Sequence, residues 1–329
     1  MTANDARLVL LGTAGGPLPS MARSGIAQAV VVGDRVHVID CGNDVTRQLR
    51  RARLLSKLHQ VFLTHLHSDH VCDYFNLFLL GWPILQFNPP VQVFGPGSAG
   101  PMCALPAEGD EPAIPLVSPV NPTPGLVDIT RHHVAASAFD LNIRMREAGR
   151  SDLTELIEPF EIAIPGDVGA SPLGPVAPAM APILVTEDEG LRVTAILVEH
   201  APVFPAFAFR FDTAAGSIVI SGDTAPCPNL VALARGADIL VHEVYDDARS
   251  DAVGDEDTWE AKQRLHHLVT SHTALSEVGK VAADADVGRL VLTHFIPGDD
   301  ALPDAHWLAG VTSFGGEVIV GHDLLELRL

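Results

Sequence analysis

The chain has 329 residues, 47% of them hydrophobic, and a formal charge of −20 from 41 acidic and 21 basic side chains. That length suits one large α/β domain, taken here as a single domain over 1–329. So acidic a chain, with only three lysines (Lys57, Lys262 and Lys280), leaves a nucleic-acid backbone little to hold, and no apolar run approaches the length of a membrane span.

The start carries Asp5 where a signal peptide would be basic, so the expectation is a cytoplasmic protein. In chain order, "RLVLLGT" reads as a strand and "QAVVVGDRVHVIDCG" as a hairpin turning at Gly33-Asp34. A helix over 44–56 follows, whose Arg47, Arg50, Arg51 and Arg53 read as a solvated face. Strands "QVFLT" and "VQVFGP" bracket a helix over 69–80. Residues 104–190 then hold 12 of the 25 prolines and 14 acidic residues against 4 arginines. They are expected to form an insertion of loops and short helices covering the substrate region, with His132-His133 and the apolar "PLVSPVNPTPGLVDI" at its mouth.

A second series resumes at "LRVTAILVEH" and continues through "FAFRFDTAAGSIVISGD", a hairpin turning near Ala215-Gly216. Strands "DILVHEV", "RLVLTHF" and "GEVIVG" complete it, with helices over 227–235 and 274–285. The two series are loosely alike. Each has a hairpin ending in an aspartate-containing turn, and each has a strand ending Leu-Thr-His, a faint internal repeat. The four cysteines, Cys41, Cys72, Cys103 and Cys227, lack both disulfide-framework and zinc-cluster spacing.

The chemistry concentrates in "FLTHLHSDH". The strand ends near Thr64, so His65 and His67, two apart in extended backbone, project to one side, and Asp69 and His70 enter the next helix. A set of clustered imidazoles repels protons and calls for a cation. His200, Asp223 and His294 each finish a later strand, which is where open α/β sheets place their sites. Five histidines and two aspartates suffice for two adjacent metals: His65, His67 and His200 on one, Asp69, His70 and His294 on the other, with Asp223 between them. The mixed nitrogen and oxygen donors suit Zn²⁺, two per chain, with Mn²⁺ or Fe compatible.

This arrangement, with "LGTAGGP", "VIDCG", "SGDT", "VHEV" and "SHTALSEVGKVAADADVGRLVLTHF", resembles the metallo-β-lactamase superfamily over nearly the whole chain, and most its ribonuclease Z-like branch. The resemblance implies a four-layer αββα sandwich, the same seven ligands, and a dinuclear hydrolase in which a metal-bridging hydroxide, oriented by Asp69, attacks the substrate. Asp40 and Glu243 are the nearest outer acceptors by position. The tRNA-processing branch carries His-Ser-Thr before its last ligand strand. Here Ser271-His272-Thr273 exchanges the first two residues, a shift of about 100° if helical, with His272 as the candidate general acid. Charge and this exchange favour a small-molecule ester, lactone, sulfate or phosphodiester as substrate. A ribonuclease Z-type tRNA 3′-end endonuclease is the alternative, and a non-catalytic binding protein the second. Nucleic acid is a disfavoured partner, a membrane is not expected, and the resemblance implies a homodimer.

Overall fold

Strands that must bury both faces read as continuous apolar runs, and the computed structural model, which describes residues 5–102, 115–188, 190–249, 258–298 and 302–329, shows why they do so here. On β1 (Ala6–Gly12), Val9 and Leu11 face a helical layer, while Leu8 and Leu10 face another sheet. One seven-stranded sheet follows the order β14-β1-β2-β3-β4-β5-β6, with β2 (Ala27–Val32), β3 (Arg35–Ile39), β4 (Leu58–Phe62), β5 (Val91–Pro96), β6 (Ile157–Ile162) and β14 (Glu326–Arg328). The other follows β13-β12-β11-β10-β9-β8-β7, with β7 (Ile183–Asp188), β8 (Leu191–Leu197), β9 (Phe207–Thr213), β10 (Gly216–Ile220), β11 (Ile239–Tyr245), β12 (Arg289–Ile296) and β13 (Glu317–Val320).

The sheets meet face to face. Phe62 stacks on Phe94 within the first sheet (ring centroids 5.3 Å apart) and reaches Phe209 of the second (5.5 Å). Helices α1 (Val45–Arg51) and α3 (Tyr74–Leu85) cover the outer face of the first sheet, and α6 (Pro228–Ala234) and α8 (Leu275–Asp284) that of the second. This is the expected four-layer αββα sandwich.

The repeat is real in topology. From β14 to β6 and from β7 to β13, each sheet has three antiparallel pairings followed by three parallel ones. The two hairpins are equivalent, and the Asp40 N–H bonds the Phe62 carbonyl after β3 as the Ser221 N–H bonds the Val241 carbonyl after β10. The two Leu-Thr-His strands are not equivalent. β4 adjoins its hairpin strand β3, whereas β12 lies one strand further from β10.

Residues 104–190 differ from a loop-and-helix insertion. Residues 104–114 and 189 lie outside the described residues, but the remainder holds α4 (Leu126–Ala136), α5 (Ala138–Glu147) and the edge strands β6 and β7. Both edges, "IEPFEI" and "ILVTED", lack a continuous buried run and carry exposed acids (Glu158 and Glu161, then Glu187), which blunts edge pairing and also hides them from a search for apolar runs. Leu126 and Ile157 join the helix-side core, so this stretch is part of the sandwich.

Between the sheets, His37, Gln60 and Gln92 stand in register across β3, β4 and β5. His37 Nδ1 bonds Gln60 Oε1 at 2.8 Å, and its Nε2 is buried without a partner among the described residues. Burial, only partly offset by the Gln60 bond, pushes its pKa down to about 3. Between pH 6.5 and 3 the unfolded chain therefore binds a proton that the folded one refuses, so stability falls as pH falls through this window. His37 accounts for a loss of about 2 kcal/mol between pH 7 and pH 5. Urea unfolding at both values should show a pH slope shallower by that amount in His37→Gln; equal slopes would refute the assignment.

Candidate metal centre

Four strand ends converge on one edge of the sandwich. After β4 the chain delivers His65 and His67, then Asp69 and His70 from α2 (Ser68–Val71). The segment after β8 delivers His200, the turn after β10 delivers Asp223, and β12 delivers His294. All seven predicted ligand residues come together. The donor atoms of His65, His67, His200 and Asp223 lie within 4.8 Å of one another, as do those of Asp69, His70, Asp223 and His294. Asp223 belongs to both groups: its Oδ1 is 3.2 Å from His70 Nε2, and its Oδ2 is 3.3 Å from His294 Nε2 and 3.8 Å from His65 Nε2.

Local backbone places these atoms. His294 is the extra residue where β12 bulges against β11, Glu243 facing Thr293 and Val244 facing Phe295, and it takes φ 47°. A bulge re-aims a side chain, and a left-handed non-glycine residue is tolerated where its surroundings hold it. Gly15 belongs to those surroundings, since a Cβ there would lie 2.6 Å from His294 Nδ1. Asp40, also left-handed, tucks its carboxylate beneath the end of β4. It accepts the Thr64 N–H (2.8 Å) and the His70 Nδ1–H (2.8 Å).

His65, His70 and His200 are oriented through Nδ1. His65 Nδ1 lies 3.1 Å from the Thr64 hydroxyl, and His200 Nδ1–H donates to the Ser271 carbonyl at 2.8 Å. Each keeps Nε2 for the centre, and a second bond of this kind fixes both tautomer and ring plane. Asp40 serves as the outer acceptor expected of it. Glu243 lies 3.8 Å from His294 Nδ1, but its hydrogen bonds go elsewhere: its Oε2 accepts the His272 Nδ1–H at 2.7 Å, and its Oε1 accepts the Thr224 N–H at 2.5 Å.

These residues fit divalent metal. His65 Nε2 is buried without a hydrogen-bond partner, His70 Nε2 faces His294 Nε2 at 3.2 Å, and His200 Nε2 faces His67 Nδ1 at 3.3 Å. Converging ring nitrogens in a buried site leave lone pairs that a shared cation satisfies. Burial pushes His65, His67 and His200 below the ordinary imidazole range, which favours the neutral, coordinating form. Burial opposes charge on Asp69 and Asp223, yet the surrounding histidines hold both carboxylates below their usual range.

His272 stands in extended backbone (φ −131°, ψ 165°) at the end of α7 (Trp259–Ser271), so the helical 100° shift does not apply. Its ring stacks against His294 at 5.9 Å and, with His67, Asp69, Asp223 and His294, borders a cavity of about 510 Å³. Burial disfavours its charge, but the Glu243 carboxylate outweighs this and pushes its pKa up to about 9.

One residue in the site was not anticipated. His267 of α7 lies 5.4 Å from the His200 ring, 5.3 Å from that of His272 and 5.8 Å from that of His67. Burial and then the neighbouring His272 push its pKa down to about 4. The signal available was helical: His267 precedes Ser271 by four residues, one turn of a helix that carries little apolar periodicity. The expected mouth is elsewhere. His133 stacks on Phe75 at 5.2 Å, and among the described residues none from 104–190 borders the cavity.

The family description "Metallo-beta-lactamase superfamily" matches residues 25–252. The chain is 30% identical over 327 residues to a protein named Ribonuclease Z from Mycobacterium bovis (strain BCG / Pasteur 1173P2), covering 98% of each. It is 32% identical over 328 residues to one of the same name from Mycobacterium avium (strain 104), again covering 98% of each. Among solved structures, it resembles the short form of human tRNase Z (TM-score 0.62, 20% identity, 98% of each chain). It also resembles the metallo-beta-lactamase fold protein YhfI from Bacillus subtilis (TM-score 0.61, 17% identity, 99% of this chain and 100% of that one).

Proposed function

We propose, for a chain that belongs to the metallo-beta-lactamase superfamily and to its ribonuclease Z-like branch, that it cuts an RNA phosphodiester at a tRNA 3′ end. The chain is a metallo-hydrolase; the bond it cleaves is the proposed part. The order of readings drawn from charge is thereby reversed. Relatives named Ribonuclease Z match along 98% of both lengths, and net charge says nothing of where charge sits. The acidic 104–190 stretch does not border the cavity among the described residues, whereas Arg249 and Arg264 do.

The observation that carries the reading is the His272–Glu243 pair at 2.7 Å beside Asp223 and His294. A ribose oxygen is a poor leaving group and needs a proton as the P–O bond breaks, while an aryl ester or activated lactone does not. Two divalent cations, zinc on this donor set, would be held by His65, His67, His200 and Asp223 and by Asp69, His70, His294 and Asp223. They would supply charge stabilisation and an acidified water. Asp69, fixed by the Gly16 N–H at 3.1 Å, orients the attacking water through its carboxylate. His272 delivers the proton from Nε2 while Glu243 holds Nδ1. The homodimer is part of the same proposal, and sedimentation equilibrium separates one copy from two.

The test is metal-loaded protein at low salt with a tRNA precursor carrying a 3′ trailer, run beside lactone, aryl ester, aryl sulfate and β-lactam substrates. We expect cleavage at the 3′ boundary of the precursor. An intact precursor together with rapid turnover of a lactone or ester would overturn the proposal.

A further inference from the structure

The cavity beside the metal centre has a wall that the chemistry above does not use. Arg264, His267 and Leu268 lie along one face of α7 and, with Arg249, border the same 510 Å³ space as His67, Asp69 and Asp223. Positions three and four apart on a helix are neighbours, so the Arg264 and His267 side chains rise from adjacent turns. In a chain of charge −20, several arginines sit on carboxylates. Arg35 is on Asp188, Arg131 on Asp128, Arg144 on Asp140 and Arg192 on Glu187. Among the described residues, neither Arg249 nor Arg264 has an ion pair or a side-chain hydrogen bond. Asp246, the acid on that wall, is already engaged, accepting His306 Nε2 at 2.9 Å and the Ala248 N–H.

We infer that Arg249, Arg264 and His267 form a phosphate subsite beside the metal centre, which takes a second phosphate of the substrate, flanking the scissile one. This rests on the phosphodiesterase reading. Arginine presents a planar fork of donors that matches phosphate oxygens two at a time, and an imidazole N–H adds a further donor. The cavity volume is in the range of small-ligand sites, with room for the scissile group and its neighbour. The subsite selects substrates that carry phosphate on both sides of a nucleoside over those with one phosphodiester alone.

The test compares metal-loaded wild type with the Arg249→Gln/Arg264→Gln double variant and with His267→Gln. Substrates are a dinucleotide with a terminal phosphate, the same dinucleotide without it, and a precursor tRNA. Wild type should prefer the phosphorylated dinucleotide by about 10–100-fold in kcat/KM, from one or two charge-assisted contacts. The double variant should reduce that preference to near unity, and His267→Gln should reduce it by less. A preference that survives in the double variant, or equal losses on both dinucleotides, overturns the subsite. A matching loss on precursor tRNA assigns it to a polynucleotide strand, and a loss confined to the dinucleotide assigns it to a small phosphorylated ligand. Calorimetry with inorganic phosphate separates this inference from the reading it rests on. A Kd that rises about tenfold or more in the double variant supports the subsite even if no phosphodiester is cleaved, and an unchanged Kd refutes it.

Discussion

Asp223→Ala is expected to leave the purified protein with fewer than one equivalent of divalent metal and to lower kcat/KM by about 10²–10⁴-fold. The range follows from the several kcal/mol that metal ions contribute to a hydrolytic transition state, at about 1.4 kcal/mol per tenfold. The size of the effect comes from geometry. Asp223 is the residue common to both donor groups, 3.2 Å from His70 Nε2 and 3.3 Å from His294 Nε2. Its removal leaves each group with three donors and without the shared negative charge that would offset two cations at close quarters. Its side chain is buried, so unfolding of the variant must be followed alongside metal analysis. A folded variant that keeps two equivalents and wild-type rates would end the two-metal reading.

His272→Ala is the second large effect, and it should differ in kind. Metal content should be unchanged, since His272 lies outside the two four-residue donor groups that share Asp223, while cleavage of an RNA phosphodiester falls by about 10²–10⁴-fold, the usual worth of a positioned acid. With bis(p-nitrophenyl) phosphate the loss should shrink to a few fold, because nitrophenolate departs without a proton. Glu243→Gln should follow the same pattern to a smaller degree, its amide still bonding Nδ1 but supplying no charge. Equal losses on both substrates would make His272 a structural residue.

The convergence of the seven candidate ligands was legible because they follow or end strand runs, and a strand end fixes position along the fold as well as along the chain. "FLTHLHSDH" and His294 needed nothing else. The edges β6 and β7 were not legible, because half-exposed strands with Glu, Pro and Asp look like loop sequence until a neighbouring strand is present to pair with them. His267 was missed for a related reason: the inward face of α7 is defined by a cavity whose other walls come from segments distant in the chain, residues 16–17, 67–69 and 296–297 among them. The placement of His272 depended on backbone conformation, which the exchanged Ser-His order alone does not determine.

The duplicated strand order has a mechanical consequence. His65, His67, Asp69 and His70 issue from the first sheet, and His200, Asp223 and His294 from the second, with 224 positions of chain between His70 and His294. Each cation would thus clamp one sheet to the other at the open edge, as a rivet joins two plates. Occupancy and cohesion of the sandwich then become a single equilibrium, in which ligand that binds only the folded form adds to its stability. Stripping the metals should loosen the whole seam between the sheets, and a loosened seam should in turn release metal.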